Sequence, residues 1–403
     1  MFTPSAPPAS FYRAPSGCAS SRPAGSAAGA SAGAESPALV NNVSIAPRSR
    51  DHETALGRFA SKFTAANLLK SQDEKAAVAV SHCGLVAHQS FVDLERNSNT
   101  ARASFRGLKS CGRVWLCPCC SPRISHKRRD ELNQLLAGAR AAGLAVVMVS
   151  LTSRHDRTMA LAPFLAALKL AKRKLAGRQV YARLPLVGSV TACEYTHGSN
   201  GHHPHYHTLL ILDAPASDAV SIAETLRPAW LTALASVGLS GNHAAFQVQD
   251  ASAAAGYIGK FGAADELALH GSKRGRKGSR SPWQLLDDAR DGDKRAAAVW
   301  REYAAAFTGT AQLWWSRGLK SKFSIGETSD ADAAAEAEPA DVPTLETLRT
   351  WVASDAWRQA RRRRVALIRA AETGGCLDAA ETGETDAARW LRLGGESVLE
   401  PPE

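Results

Sequence analysis

The sequence predicts an α+β fold in which an antiparallel sheet is flanked by helices. Apolar runs of strand length alternate along the chain with longer segments of helical periodicity. Two of these runs, residues 186–196 and 203–212, are separated by a stretch of turn composition, which is typical of an antiparallel hairpin. The first strand is preceded by a Cys-rich segment that contains Cys111, Cys117, Cys119 and Cys120. Together these features favour an antiparallel sheet behind an N-terminal Cys-rich segment.

The composition of the 403-residue chain is that of a globular protein with a polyanionic partner. Hydrophobic residues make up 45% and charged residues 22%, which excludes a wholly disordered or collagen-like chain. The formal net charge of +11 favours nucleic acid or an anionic membrane as partner. No apolar run approaches the ~20 residues of a membrane-spanning helix, and the N-terminus lacks the pattern of a secretory signal. We therefore expect a cytoplasmic protein without a membrane partner.

Composition divides the chain into five predicted parts. The first is rich in Ala, Ser, Gly and Pro and cannot bury enough apolar surface to fold. The fourth carries six acids and no base, which is typical of a linker. In order, the parts are a disordered tail (1–50), a basic Cys-rich region (51–140), a central domain (141–325), an acidic linker (326–343) and a small helical appendage (344–403).

Helices and strands alternate from the Cys-rich region onward. Each prediction rests on the spacing of the apolar residues and on the turn residues that interrupt it. The predicted elements are helices at 54–69, 125–141, 161–176, 217–234, 251–261 and 294–307, and strands at 144–152, 186–196, 203–212 and 245–249.

The second strand of the predicted hairpin begins with closely spaced histidines. His203, His205 and His207 share one face because successive strand side chains point to opposite sides. Imidazoles at positions i and i+2 can bind one divalent ion. The alternative is a surface histidine cluster on an edge strand, where Pro204 would also be tolerated. Because histidines that enter a buried strand are costly to bury without a partner, the metal-binding interpretation is favoured.

Glu194 completes this predicted site if the hairpin has a particular register. With a four-residue loop at 198–201, His197 pairs with His202 and Glu194 lies opposite His205. A loop one residue longer or shorter would turn Glu194 to the other face. The sequence thus predicts that Glu194, His205 and His207 bind a metal ion together.

Four motifs resemble those of HUH endonucleases, most closely the plasmid rolling-circle replication initiators. The segment from Glu194 to His207, with the Thr-Leu-Leu-Ile-Leu that follows, is similar to their His-hydrophobe-His motif. Residues 149–156 resemble the family's first strand motif, residues 255–260 its Tyr-x-x-Lys motif, and residues 314–320 a segment common in these initiators. The resemblance covers about residues 80–325, and the motifs occur in the expected order.

This resemblance implies a single-tyrosine nickase with an HUH endonuclease-like domain at 141–325. Tyr257 would attack a DNA phosphodiester and remain attached as a 5′-phosphotyrosine. Lys260, one helical turn further on, would position the phosphate or help to lower the pKa of the tyrosine. A divalent ion, Mn²⁺ or Mg²⁺, would polarise the phosphate.

One position departs from the family pattern. Some relatives carry a glutamate four residues before the tyrosine, which activates water for the terminating hydrolysis, and here that residue is Ala253. Asp250 would lie on the same face as Tyr257 if the helix extends that far. We expect either Asp250 or the tyrosine of a second monomer to take this role.

The cysteines predict a structural zinc site. Cys117 and Cys120 form a C-x-x-C pair, whose geometry lets two thiolates bind one zinc ion. Cys119 would then be spare, with His82 and His126 as substitute ligands. The alternative is a set of buried free thiols, but the density of the cluster and the similar Cys-rich stretch of related initiators favour zinc. The predicted ligands are Cys83, Cys111, Cys117 and Cys120.

Two basic segments are predicted to contact DNA phosphates. One flanks the cysteines, and the other is a loop rich in Gly and Ser, a composition that can follow a phosphate backbone. Ordinary solvated surface is the alternative for both. The predicted contacts are Arg113, Lys127, Arg128, Arg129, Lys273, Arg274, Arg276 and Lys277.

These motifs predict a plasmid replication initiator that nicks origin DNA in single-stranded or cruciform form. A host helicase is expected as a further partner, and no small-molecule substrate is expected. A related HUH transposase or relaxase would use the same chemistry. From a different class, the alternative is a zinc-containing DNA-binding regulator without nuclease activity, whose histidines are structural.

Overall fold

The structure is a computed structural model that describes residues 55–99, 101–251, 278–335, 345–352 and 354–383. Two antiparallel sheets and the helices around them make up this part of the chain. The strands are β1 (Val92–Asn97), β2 (Ala103–Arg106), β3 (Ala145–Leu151), β4 (Leu186–Gly198), β5 (Gly201–Leu212), β6 (Phe246–Asp250), β7 (Leu313–Trp315) and β8 (Leu345–Trp351).

The helices surround these strands, and none among the described residues is long and apolar enough to cross a membrane. They are α1 (Ala55–Leu69), α2 (Glu74–His82), α3 (Cys120–Ala141), α4 (Leu161–Ala176), α5 (Gln179–Ala182), α6 (Ala216–Glu224), α7 (Arg227–Ala235), α8 (Pro282–Arg290), α9 (Lys294–Phe307), α10 (Leu319–Lys322), α11 (Asp330–Ala335), α12 (Ser354–Ala360), α13 (Arg364–Thr373) and α14 (Leu377–Thr382).

The larger sheet has the strand order β6-β3-β5-β4-β7, and all of its pairs are antiparallel. Its centre is the β4–β5 hairpin, with the apolar strand β3 beside it. This confirms the predicted α+β class with an antiparallel sheet flanked by helices. The helix predicted at 217–234 is instead two helices, α6 and α7, because Pro228, in the first turn of α7, cannot donate a backbone hydrogen bond.

The two faces of this sheet belong to two different cores. The front face, which carries His203, His205 and His207, packs its apolar end against α3 through residues such as Met148 and Leu135. The back face packs against helices on the other side of the sheet, including α4, α7 and α9. Alternation along each strand therefore separates residues that are neighbours in sequence.

The smaller sheet has the order β2-β1-β8 and joins distant parts of the chain. Trp351 and Trp357 pack beside Phe105 in its core, with ring centroids 6.0 and 5.1 Å from that of Phe105. The segment 344–403 was predicted to be helical, and this is wrong for β8. Its β-branched Thr347 and Thr350 suit a strand, but the partner strand lies far away in the sequence.

Part of the segment predicted as an acidic linker is folded. Within 326–343, α11 packs against α3 and buries Ala333 and Ala334. Asp330, its first residue, accepts a hydrogen bond of 2.7 Å from Arg128. The acids of this segment therefore serve in part as counter-charges for the basic Cys-rich region.

Candidate functional site

The β4–β5 hairpin has the register that the predicted metal site requires. Glu194 lies opposite His205, and His197 lies opposite His202. The tip is closed by Gly201, which has a φ of +87° and whose missing Cβ would come within 2.9 Å of Arg157 Cα. Only glycine fits this close approach without strain.

Glu194, His205 and His207 converge at the open end of the front face. The Oε2 atom of Glu194 lies 3.0 Å from Nε2 of His207 and 3.3 Å from Nε2 of His205. The three candidate ligand atoms all lie within 4.8 Å of one another. His207 is buried and the other two are half-buried, so the cluster is enclosed on one side.

The remaining ring nitrogens of both histidines have partners that orient the rings. Nδ1 of His207 lies 3.0 Å from Oγ of Ser150, and Nδ1 of His205 lies 3.4 Å from the carbonyl oxygen of His203. With a proton on each Nδ1, both Nε2 lone pairs point towards the Glu194 carboxylate. Two imidazoles and one carboxylate, each held by a neighbouring group, are a donor set that fits a divalent ion.

His203 supports this cluster without belonging to it. Its ring stacks between those of His155 and His205, with centroid distances of 4.6 and 4.7 Å, and its Nε2 lies 3.2 Å from Oγ1 of Thr152. Burial, together with the charge of His205, lowers the pKa of His203 to about 3, so the ring is neutral at physiological pH. Ser150, Thr152 and His155 were not predicted as site residues, although alternate positions on β3 place Ser150 beside His207.

The other histidines of the hairpin have structural partners on the back face. Nδ1 of His202 lies 2.7 Å from the hydroxyl of Tyr195, and its Nε2 lies 3.0 Å from Oε2 of Glu302. Glu302 also accepts a hydrogen bond from the backbone N–H of Leu161 at the start of α4. Burial and the neighbouring His202 lower the pKa of His197 to about 4. These contacts tie the hairpin tip to α4 and α9.

Asp250 does not lie at this cluster. It is the last residue of β6 and pairs with Val147, which places it on the back face, whereas Ser150 and His207 occupy the front face. The condition set for its role, that the helix predicted at 251–261 extends back to Asp250, is not met, since the β6 pairing extends to this residue. On β6 it is the exposed Gln247 that lies next to Ser150 on the front face.

Six of the predicted site residues lie outside the described residues. They are Tyr257, Lys260, Lys273, Arg274, Arg276 and Lys277.

The four predicted zinc ligands also come together. Sγ of Cys120 lies 3.3 Å from Sγ of Cys83 and 3.7 Å from Sγ of Cys111, and all four Sγ atoms, including that of Cys117, lie within 4.8 Å of one another. A tetrahedral zinc with Zn–S bonds of ~2.3 Å has sulfur atoms ~3.8 Å apart. The cluster thus fits such an ion, and its sulfurs are too far apart for disulfide bonds. Cys119 is not one of these four: its thiol hydrogen-bonds with Cys117, and its Sγ lies 3.7 Å from the carbonyl oxygen of Arg58.

The thiols of this cysteine cluster shift one another's pKa values in opposite directions, and burial raises the pKa of Cys117 well above its ordinary value. Hydrogen bonds from neighbouring thiols, first Cys111, lower the pKa of Cys120. Lys62 is fully buried and donates a hydrogen bond of 2.8 Å to the carbonyl oxygen of Cys83. Burial lowers the pKa of Lys62 to about 8, and the nearby cysteines oppose this shift. A buried ammonium group beside four thiols is expected where the thiols are ionised.

The predicted DNA contacts of the Cys-rich region divide into two groups. Arg128 is buried and bonds to Glu131 at 2.6 Å and to the carbonyl oxygen of Thr328 at 2.9 Å, besides its bond to Asp330. Its predicted contact with DNA is wrong, because these groups already neutralise and enclose the guanidinium. Arg113, Lys127 and Arg129 are half-buried, and their contacts with DNA stay predictions.

Comparisons with known proteins agree with the resemblance. Residues 105–216, from β2 to the start of α6, match a family model described as replication protein. The chain thus contains a domain similar to those of replication proteins. This domain includes three of the clustered cysteines, β3 and the complete β4–β5 hairpin.

Two curated proteins are similar to the chain. It is 28% identical over 360 residues to "Protein rep" of Streptomyces lividans, which covers 69% of this chain and 78% of that protein. It is 24% identical over 135 residues to the "Neomycin resistance protein" of Streptomyces cyanogenus, which covers 26% of this chain and 31% of that protein. No solved structure matches significantly. The resemblance to replication initiators is confirmed, while the single-tyrosine type stays a prediction.

Proposed function

We propose that this protein initiates plasmid rolling-circle replication by nicking one strand of the origin DNA. Tyr257 is the nucleophile, and Glu194, His205 and His207 hold a divalent ion, Mn²⁺ or Mg²⁺. The observation that carries the proposal is the convergence of these three ligand atoms on the hairpin, with both Nδ1 atoms engaged by neighbours.

The described residues suit the chemistry of phosphodiester cleavage. When bound, the ion acts as a Lewis acid towards the scissile phosphate. Glu194 supplies the negative charge that retains it, and Ser150 holds His207 in the required orientation. The phenolic oxygen of Tyr257 forms a bond to phosphorus and loses its proton, while the bond from phosphorus to the 3′ oxygen breaks. The protein stays on the 5′ end, and the released 3′ hydroxyl, protonated by solvent, primes synthesis.

The chain between Ala251 and Tyr257 is long enough for Tyr257 to reach the hairpin cluster. Ala251 bonds through its backbone N–H to the carbonyl oxygen of Val146 at 2.9 Å, four residues along β3 from Ser150. Tyr257 follows Ala251 by six residues, and an extended chain spans at most ~3.5 Å per residue. A strand rises ~3.4 Å per residue, so the distance to the cluster along β3 is shorter than this reach. We assign Lys260 to positioning of the phosphate.

The proposal extends to the rest of the chain. The cysteine cluster holds a structural Zn²⁺, and Arg113, Lys127, Arg129 and the basic loop that contains Lys273, Arg274, Arg276 and Lys277 contact DNA phosphates. Residues 141–325 form the nickase domain, which acts in the cytoplasm with a host helicase. The competing proposal is a zinc-containing regulator that binds DNA and never cuts it.

Covalent capture tests the proposal directly. The full-length protein is incubated with a 3′-labelled single strand of its plasmid origin, in Mn²⁺ or Mg²⁺ and with or without EDTA. We expect a labelled protein band on a denaturing gel, lost with EDTA and with Tyr257→Phe but kept with the control Tyr181→Phe. A band that persists with Tyr257→Phe would exclude this nucleophile, and binding without cleavage in every condition would favour the regulator.

A further inference from the structure

A long stretch of the central domain contains bases and no acids. Between Asp156 and Glu194 the sequence has no Asp or Glu. This stretch contains α4 and α5, the loops that flank them and the first part of β4. Its basic residues are Arg157, Lys169, Lys172, Arg173, Lys174, Arg178 and Arg183.

Two of these bases have partners within the fold. Nζ of Lys172 lies 5.3 Å from the ring centre of Tyr206 and 5.7 Å from that of Trp314. Nζ of Lys174 donates to the carbonyl and hydroxyl oxygens of Ser236 at 3.2 and 3.1 Å. Both side chains therefore help to attach α4 to its neighbours.

Four of the other five, all except Arg157 in the loop before α4, form an exposed basic surface. On α4 the buried residues lie on one stripe, and Lys169 and Arg173, four residues apart, lie on the opposite side of the helix. Arg178 and Arg183 are exposed at the two ends of α5. None of these four makes an ion pair or a side-chain hydrogen bond with another described residue. We call Lys169, Arg173, Arg178 and Arg183 the α4 surface.

The α4 surface lies on the side of the sheet opposite to the hairpin cluster. The apolar stripe of α4, with Leu168 and Leu175, packs in the back-face core together with Tyr206. Glu194 and His207 occupy the front face. DNA bound on the α4 surface would therefore be separate from the DNA segment that is cut at the hairpin cluster.

We propose that the α4 surface binds the sugar–phosphate backbone of duplex origin DNA that flanks the nick site. This inference rests on the proposed function and adds a second DNA contact to it. Duplex DNA carries one negative charge per ~1.7 Å of its axis, so that several phosphates can face these four bases. Proteins that bind single strands add aromatic side chains on which bases stack. Here the aromatic residues of the stretch are Phe164, which is buried, and Tyr181, which is half-buried.

A pair of matched double variants tests this surface. Lys169→Gln/Arg173→Gln removes two charges from the α4 surface, and Lys70→Gln/Lys75→Gln removes two exposed charges after α1 and on α2. The affinity of the full-length proteins for a short duplex of arbitrary sequence is measured at several salt concentrations. Each lost phosphate contact lowers the slope of log affinity against log salt by ~1. We expect the α4 variant to lose a slope of about 2 and about tenfold in affinity at moderate salt.

The outcomes distinguish this inference from the proposed function. We expect the control double variant to keep the wild-type slope, and both variants to form the covalent adduct with the single-stranded origin oligonucleotide at the wild-type rate. Equal losses of duplex affinity in the two variants, or no loss in the α4 variant, would overturn the inference. The inference would also be overturned if the α4 variant lost binding to phosphatidylserine vesicles but bound the duplex like the wild type. Absence of the adduct from the wild-type protein would count against the nickase proposal, whatever the duplex measurements show.

Discussion

The hairpin cluster and the cysteine cluster both bring metal-ligating groups together, but they are built in different ways. Glu194 and His207 are 13 residues apart on adjacent strands, whereas Cys83 and Cys120 are 37 residues apart and come from the end of α2 and the start of α3. The hairpin cluster offers three donors and the cysteine cluster four. Catalytic metal sites keep a position open for water or substrate, and structural sites are closed. Under the proposed function, this difference suits one cluster to chemistry and the other to folding.

The largest expected effect is on stability, at the cysteine cluster. Cys120→Ser should remove one equivalent of bound zinc and lower the free energy of unfolding by ~4 kcal/mol, as for the loss of a ligand present at a thousand times its Kd. Zinc content by elemental analysis and urea unfolding measure this. Cys119→Ser is the matched control and should keep both. Equal zinc content in the two variants would show that the cluster is a set of free thiols.

Glu194→Gln at the hairpin cluster should lower activity and leave stability nearly unchanged, the reverse of the effect expected at the cysteine cluster. We expect the rate of nicking to fall by a factor of ~100 or more, because the carboxylate that holds the ion is lost. The free energy of unfolding should change by less than ~1 kcal/mol. Single-turnover cleavage and urea unfolding are the measurements, and Asp250→Asn on the back face is the control. If the Gln variant unfolded like Cys120→Ser, the contrast between the clusters would be lost.

Ser150→Ala should weaken the hairpin cluster without removing a ligand. Loss of the contact to Nδ1 of His207 leaves the ring less well oriented, and such changes cost ~10–100-fold in metal affinity. Isothermal titration with Mn²⁺ measures the affinity. Ser150→Thr keeps the hydroxyl and should restore it. A Thr variant as weak as the Ala variant would argue against an orienting role for the hydroxyl.

The smallest effect concerns pH and the support that His203 gives to the hairpin cluster. The pKa of His203 is about 3 in the folded protein and near ~6.5 in an unfolded chain. Between these values the unfolded state binds more protons, so the free energy of unfolding falls as the pH drops, by up to ~1.4 kcal/mol per pH unit. Urea unfolding at pH 7, 6 and 5 measures the slope. His203→Gln should flatten it, and an unchanged slope would assign the acid sensitivity to other groups.

The hairpin cluster could be predicted from the sequence because its contacts are local. Strand alternation placed His205 and His207 on one face, and the loop length set Glu194 opposite His205. The cysteine cluster was predictable for a different reason. Few residue types bind zinc, and the sequence places Cys111, Cys117 and Cys120 within ten residues, with Cys83 upstream. In both cases the ligand residues could be chosen from the sequence without knowledge of contacts between distant parts of the chain.

Non-local contacts account for the errors. Arg128 was assigned to DNA because its counter-charge Asp330 lies about 200 residues away, in a segment with the composition of a linker. The strand β8 was missed because its partner β1 precedes it by about 250 residues. Asp250 was expected beside Tyr257 on the condition that the predicted helix at 251–261 extended back to it, but β6 extends by one residue instead and puts it on the back face.

The C-terminal unit, which consists of β8 and the helices α12 to α14, is attached at the turn that follows Cys83. The indole N–H of Trp357 donates a 2.8 Å hydrogen bond to the carbonyl oxygen of Leu85, and the guanidinium of Arg364 donates to that of Gly84. A shortened chain that ends before β8 would lack both anchors and leave β1 with an unpaired edge, which favours aggregation. Expression trials that aim at a shortened form of this protein should therefore retain β8 and the helices after it, or replace the edge that β8 covers.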